Sequence, residues 1–139
     1  MDGALIALFV AVLVIAVLIV VIMLLTKKGG MVLDVEKYRS RWMTIEQSLV
    51  RDNEASYHLA VMNADKLLDT AMRERGIKGQ TMGDRMKANK DGWSSRNNLW
   101  EAHKLRNKIA HESDVRVSYD QARRALAGFK QALKDVGAI

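Results

Sequence analysis

The pattern of apolar and polar positions changes character once along this chain. From Ala4 to Leu25 it reads ALIALFVAVLVIAVLIVVIMLL, 22 residues without one polar side chain. A helix of that length spans about 33 Å at 1.5 Å per residue, matching a bilayer hydrocarbon core of roughly 30 Å. Val and Ile dominate the run, but in hydrocarbon the backbone must satisfy its own hydrogen bonds, so the helical solution overrides their strand preference. The segment is therefore expected to be a transmembrane helix. A cleaved signal peptide fits less well. No positive region precedes the run, the run exceeds the usual length of about 7 to 15 apolar residues, and Thr26-Lys27-Lys28 is a poor cleavage context.

Beyond Leu33, apolar side chains recur at spacings of three and four, the signature of helices that bury one stripe. Val35, Tyr38, Trp42, Ile45 and Leu49 predict a first helix over about 34 to 51. Asp52 and Asn53 can cap a second helix, whose apolar face holds Tyr57, Ala60, Val61, Ala64, Leu67, Leu68, Ala71 and Met72 and which ends at Gly76; the two could also run on as one bent helix. Thr81 with Asp84 resembles a capping box opening a short helix that carries Met82 and Met86. Ser94 or Ser95 caps the next, with Leu99, Ala102, Leu105 and Ile109 inward and a break near Ser113. Ser118 with Gln121 opens a last helix lined by Tyr119, Ala122, Leu126, Phe129 and Leu133. The expected fold is all-α: a single N-terminal transmembrane helix followed by a four-to-five-helix bundle. Residues 1–26 form the anchor, 27–33 a linker containing Gly29-Gly30, and 34–139 the helical domain.

Composition sharpens this picture. The chain has no proline and only three Tyr and two Phe, which suits long helices better than a strand-rich fold. It has no cysteine, which removes disulfides, thiolate nucleophiles and cysteine-based metal sites. Asp2 is the only charged side chain before the apolar run, whereas Lys27 and Lys28 follow it, and flanking Lys favours the cytoplasmic side. The expectation is a single-pass membrane protein with its N-terminus outside and its helical domain in the cytoplasm. About 100 residues build only a small core, so pairing with a second copy is a natural source of further burial.

The formal net charge is +6, and the window from Lys78 to Lys108 holds eight Lys or Arg against three acids. Lys87, Lys90, Arg96, Lys104 and Lys108 are the candidate polyanion contacts. Nucleic-acid phosphate and the anionic leaflet facing a tethered domain both fit, as does a merely solvated basic face. Within the window stands LWEAHKLRNKIAHE, where Arg106, Asn107 and His111 form the one tight grouping of phosphate-binding and proton-transferring side chains. An Arg fork can hold two phosphate oxygens, and an imidazole of ordinary pKa about 6.5 can take a proton from a ribose 2′-hydroxyl without a metal. Arg106 and His111 are five positions apart, about 140° around an ideal helix, whereas His103, Asn107 and His111 share one face. Either the helix distorts near Glu112-Ser113 or two copies build a composite site across a twofold axis; the second is the favoured expectation. The same three residues could instead form a hydrogen-bonded seam between helices.

At RNKIAH, Arg106 to His111, the chain resembles the HEPN superfamily, small helical bundles marked by Arg, a polar residue, three further residues and His. The preceding NADKLLDTAM, the short TMGDRM helix and the final helix fit the same resemblance, which spans roughly the soluble residues. The resemblance implies a homodimer with facing motif helices and, in many members, a metal-independent endoribonuclease that leaves a 2′,3′-cyclic phosphate. Carried over, Arg106 would position the phosphate, His111 would transfer the proton and Asn107 would orient one of them. A second protein component is a further partner that the resemblance implies.

Other candidates are weaker. His58, His103 and His111 with Glu101 and Glu112 lack metal-ligand spacing, so neither a metal nor a cofactor is expected. Trp42 and Trp100 are expected in packing roles; Trp93, among basic residues, could stack on a base but fits core packing better. The combined expectation is a membrane-anchored HEPN-like domain that binds RNA through a basic face and has the groups to cut it. The alternative is a noncatalytic membrane-tethered interaction or scaffold protein.

Overall fold

The computed structural model describes residues 2–26 and 30–139. Every regular element among them is helical. Contacts divide the chain into Met1–Gly30 and Met31–Ile139. Lys27, Lys28 and Gly29, which carry the orientation signal and part of the expected linker, lie outside the described residues.

Helix α1, Gly3–Thr26, is apolar on every side and has no face set apart for packing. It is long and apolar enough to cross a membrane. A helix apolar all round needs hydrocarbon or a large core around it, and the apolar side chains from Leu5 to Leu25 lie open.

The second unit is a bundle of α2, Val35–Ser48; α3, Glu54–Glu74; a short α4, Met82–Ala88; α5, Arg96–His111; and α6, Tyr119–Asp135, with a 3-10 turn at Lys90–Gly92. Four long helices and one short one match the sequence expectation. Helix α3 packs against α2, α5 and α6, and α5 packs against α6. The core joins Tyr38 and Trp42 of α2 to Val61, Leu68 and Met72 of α3, Leu99 of α5 and Phe129 and Leu133 of α6. Leu33, at the end of the expected linker, is already part of this core.

Local chemistry sets the helix boundaries. The expected boxes at Thr81/Asp84 and Ser118/Gln121 both form, each satisfying the cap and third-residue amides reciprocally. Helices α2 and α3 are separate. Leu49 turns extended, Asp52 takes a φ of 60°, and Asn53, rather than Asp52, caps α3 by accepting the Ser56 N–H. Helix α2 therefore stops at Ser48, short of the expected 51. Ser95 holds the N-cap position of α5 without a side-chain cap bond, whereas Ser94 bonds the Asp135 carboxylate through its N–H and hydroxyl, tying the start of α5 to the end of α6. At Gly128 of α6 an added Cβ would lie 2.8 Å from the Asn98 carbonyl oxygen, so the missing side chain is what lets α6 lie close against α5.

Candidate functional site

The apolar stripe of α3 is interrupted by Asp65, which follows Val61 by four positions and precedes Leu68 by three. Helical spacing places its carboxylate inward, where its side chain is 4% exposed. A carboxylate so placed needs polar or charged partners, and α5 supplies two. His103 Nδ1 lies 2.8 Å from Asp65 Oδ1, and Arg106 Nε lies 3.1 Å from Oδ2 in an ion pair whose N–H is not aligned for a hydrogen bond. His103 and Arg106 are three apart on α5, so one helix face presents both to the same carboxylate.

Asn107 completes the cluster. Its Oδ1 accepts from Arg106 Nη1 at 2.9 Å, and its Nδ2 lies 3.3 Å from His103 Nε2. With Nδ1–H donated to Asp65, the Nε2 of a neutral His103 is the acceptor, consistent with an amide N–H2 beside it. Trp100 stands edge-on to the imidazole, with ring centroids 6.0 Å apart.

Asp65, His103, Arg106 and Asn107 line a groove of about 590 Å³ between α3, α5 and the start of α4. The α4 side is fixed by buried Arg85, whose Nε donates to Asp69 Oδ1 at 2.8 Å and whose Nη1 donates to the Gly79 carbonyl at 2.6 Å. The Thr81 hydroxyl and then its backbone N–H hold the Asp84 carboxyl below the usual carboxylate range, which keeps the α4 cap charged and closed. Of the charged lining residues, Lys66, Arg73, Arg85 and Arg106 face two carboxylates, Asp65 and Asp69, so the groove retains positive charge. Arg106 is 31% exposed in its side chain.

The expected site residues are only partly brought together. Arg106 and Asn107 are joined, but their imidazole partner is His103. His111 lies exposed at the end of α5, with no hydrogen bond to either among the described residues. Lys87, Lys90, Arg96, Lys104 and Lys108 are all exposed, and none lines the Asp65 groove. Lys104 and Lys108 instead border a second groove of about 500 Å³ between α5 and α6, with Arg124 opposite. Lys104 is paired with Glu101 at 2.9 Å. Trp93 is buried and donates its Nε1–H to the Met86 carbonyl at 2.8 Å, so it packs the core and is not open to stack on a base. Asp65 is the member that sequence reasoning missed; a lone acid within an apolar stripe of spacing four and three was the signal available.

Fold and site together define an α-helical bundle with a polar, cationic groove between α3 and α5, in a chain whose first helix is able to cross a membrane. Compared with known proteins, no family model matches the chain, and no curated protein or solved structure matches it either.

Proposed function

We propose that the protein is a membrane-tethered, HEPN-like helical domain that binds RNA, with the α3–α5 groove receiving the phosphodiester and the domain on the cytoplasmic side. The observation that carries this is Arg106. Its guanidinium is held at Nε by a buried carboxylate and at Nη1 by Asn107, and its partly exposed side chain lines a cationic groove. An Arg fork held in place by its own partners binds a phosphate with less ordering cost than a free lysine. The RNKIAH resemblance and the Lys27-Lys28 pair after the apolar run support the same reading.

Metal-independent cleavage is the extension that the resemblance implies. It assigns the phosphate to Arg106 and proton transfer to His111, with His111 arriving from a second copy in a homodimer. The test is to incubate the full-length protein in detergent with labelled single-stranded RNA and a chelator over a range of salt. RNA binding that falls steeply with salt is expected, as is a loss on Arg106→Lys, which keeps the charge near Asp65 and removes the fork. Products ending in 2′,3′-cyclic phosphate that disappear with His111→Ala would establish cleavage. Salt-sensitive binding with intact RNA would establish a binding module. No binding at any salt would remove the RNA reading. It would leave the tethered scaffold, which is favoured by one observation: both oxygens of Asp65 are already occupied by His103 and Arg106.

A further inference from the structure

The two nitrogens of His103 are held unequally, Nδ1 closely by Asp65 and Nε2 only by the longer contact to Asn107. Nδ1 is held by Asp65 at 2.8 Å, which fixes the ring; in the tautomer that donates Nδ1–H to that carboxylate, Nε2 is the acceptor. The side chain is 10% exposed, and His103 borders the same groove as Arg106. Across the groove stands Gly83, on the first turn of α4. A Cβ added there would meet only Thr81 Oγ1 at 3.8 Å, His103 Nε2 at 4.0 Å and the edge of Trp100 at 4.0 Å. Glycine at this position is thus required neither by backbone conformation nor by crowding, since a methyl would fit in ordinary contact. What the missing Cβ provides is open space against Nε2. The donor bonded to that nitrogen among the described residues, Asn107 Nδ2, is 3.3 Å away, a long hydrogen bond that a ligand hydroxyl can replace or join.

We propose that His103 Nε2, reached through the gap at Gly83, accepts a hydrogen bond from the ribose 2′-hydroxyl of an RNA whose phosphate lies on Arg106, so that this groove selects RNA over DNA. The inference rests on the RNA reading above and adds to it a sugar-reading residue, His103, with Asp65 as its positioning residue. A hydroxyl next to a phosphate is what separates ribose from deoxyribose, and the groove sets an acceptor and a guanidinium on one wall.

Binding of full-length protein in detergent to a short oligouridylate and to its 2′-deoxy counterpart tests this. The wild type is expected to prefer the ribose form by about threefold to tenfold, the worth of one hydrogen bond. Gly83→Ala is expected to abolish that preference while leaving affinity for the deoxy form and the thermal midpoint undiminished, because the methyl covers Nε2 without a clash. As a measurement free of substitutions, uridine 3′-monophosphate should shift the nitrogen-15 resonance of His103 Nε2 in wild-type protein, and its 2′-deoxy analogue should not. Equal affinity for both oligonucleotides, or an unmoved His103 resonance, overturns the inference and leaves the RNA reading intact. Failure to bind either oligonucleotide at any salt overturns both.

Discussion

Helix α3 carries two carboxylates that each meet one histidine and one arginine, and the two sets behave differently. Near the N-terminus of α3, Glu54 is 32% exposed in its side chain. It faces Arg116 Nη1 at 3.0 Å and His58 Nε2 at 3.8 Å and accepts the Val117 N–H at 2.9 Å. In mid-helix, Asp65 is 4% exposed and faces His103 and Arg106. Glu54 tethers the segment before α6, and its arginine is 89% exposed, where water and salt screen the pair strongly. Asp65 joins α3 to α5 where little water compensates a lost partner. The same three side-chain types therefore make a loop tether in one place and a polar site inside a helix interface in the other. Burial decides which.

The largest effect expected is at Asp65. Asp65→Ala leaves Arg106 without its counter-charge and His103 Nδ1 without its partner, and should cost about 3–5 kcal/mol of unfolding free energy in urea titrations. A loss no greater than that of a surface carboxylate would erase the distinction between the two sets. The triple variant Asp65→Leu, His103→Leu, Arg106→Leu should recover much of that loss, because apolar side chains of similar volume can replace a buried ionic cluster at little cost or with gain. It should also lose salt-sensitive RNA binding. Retained binding would place the phosphate elsewhere, for instance in the α5–α6 groove beside Lys108 and Arg124.

A smaller effect follows at Glu54. The Val117 N–H, and then the Arg116 side chain, hold its carboxyl below the usual carboxylate value of 4.5. A depressed folded pKa means a stabilising contribution that is complete above the ordinary value and is lost as pH falls through the lower folded one. The difference in thermal midpoint between wild type and Glu54→Gln should therefore shrink as pH is lowered below 4.5, together with an upfield move of the Val117 amide proton. A difference constant across that range would mean that Glu54 is not anchoring the loop through its charge. Arg116→Ala should be the mildest change, within about 0.5 kcal/mol by chemical denaturation, since its side chain is almost wholly in water.

Much of the bundle could be read from the chain because it rests on neighbours in sequence. The Thr81/Asp84 and Ser118/Gln121 caps and the apolar stripes of α3 and α6 involve residues within one or two turns of each other. The α2–α3 break was harder to place, because the positive φ of Asp52 and the Tyr57 hydroxyl that accepts its N–H depend on how the two helices pack. Arg106 and Asn107 were visible as a pair at adjacent positions, and His103 as a residue on the Asn107 face. That His103 is the imidazole meeting Asn107 within one chain was not, because Asp65 holds that ring from 38 positions away.

The chain alone determined that its first helix has no polar side to hide and that the rest folds into helices with buried stripes, since hydropathy and capping act over a few residues. Packing decided which titratable groups share a dielectric: it sank Asp65 between α3 and α5, turned His103 and Arg106 onto it, and left His111 exposed and Glu54 half-buried. Charge interactions depend on distance and on the surrounding medium, and both are set only when distant segments come together.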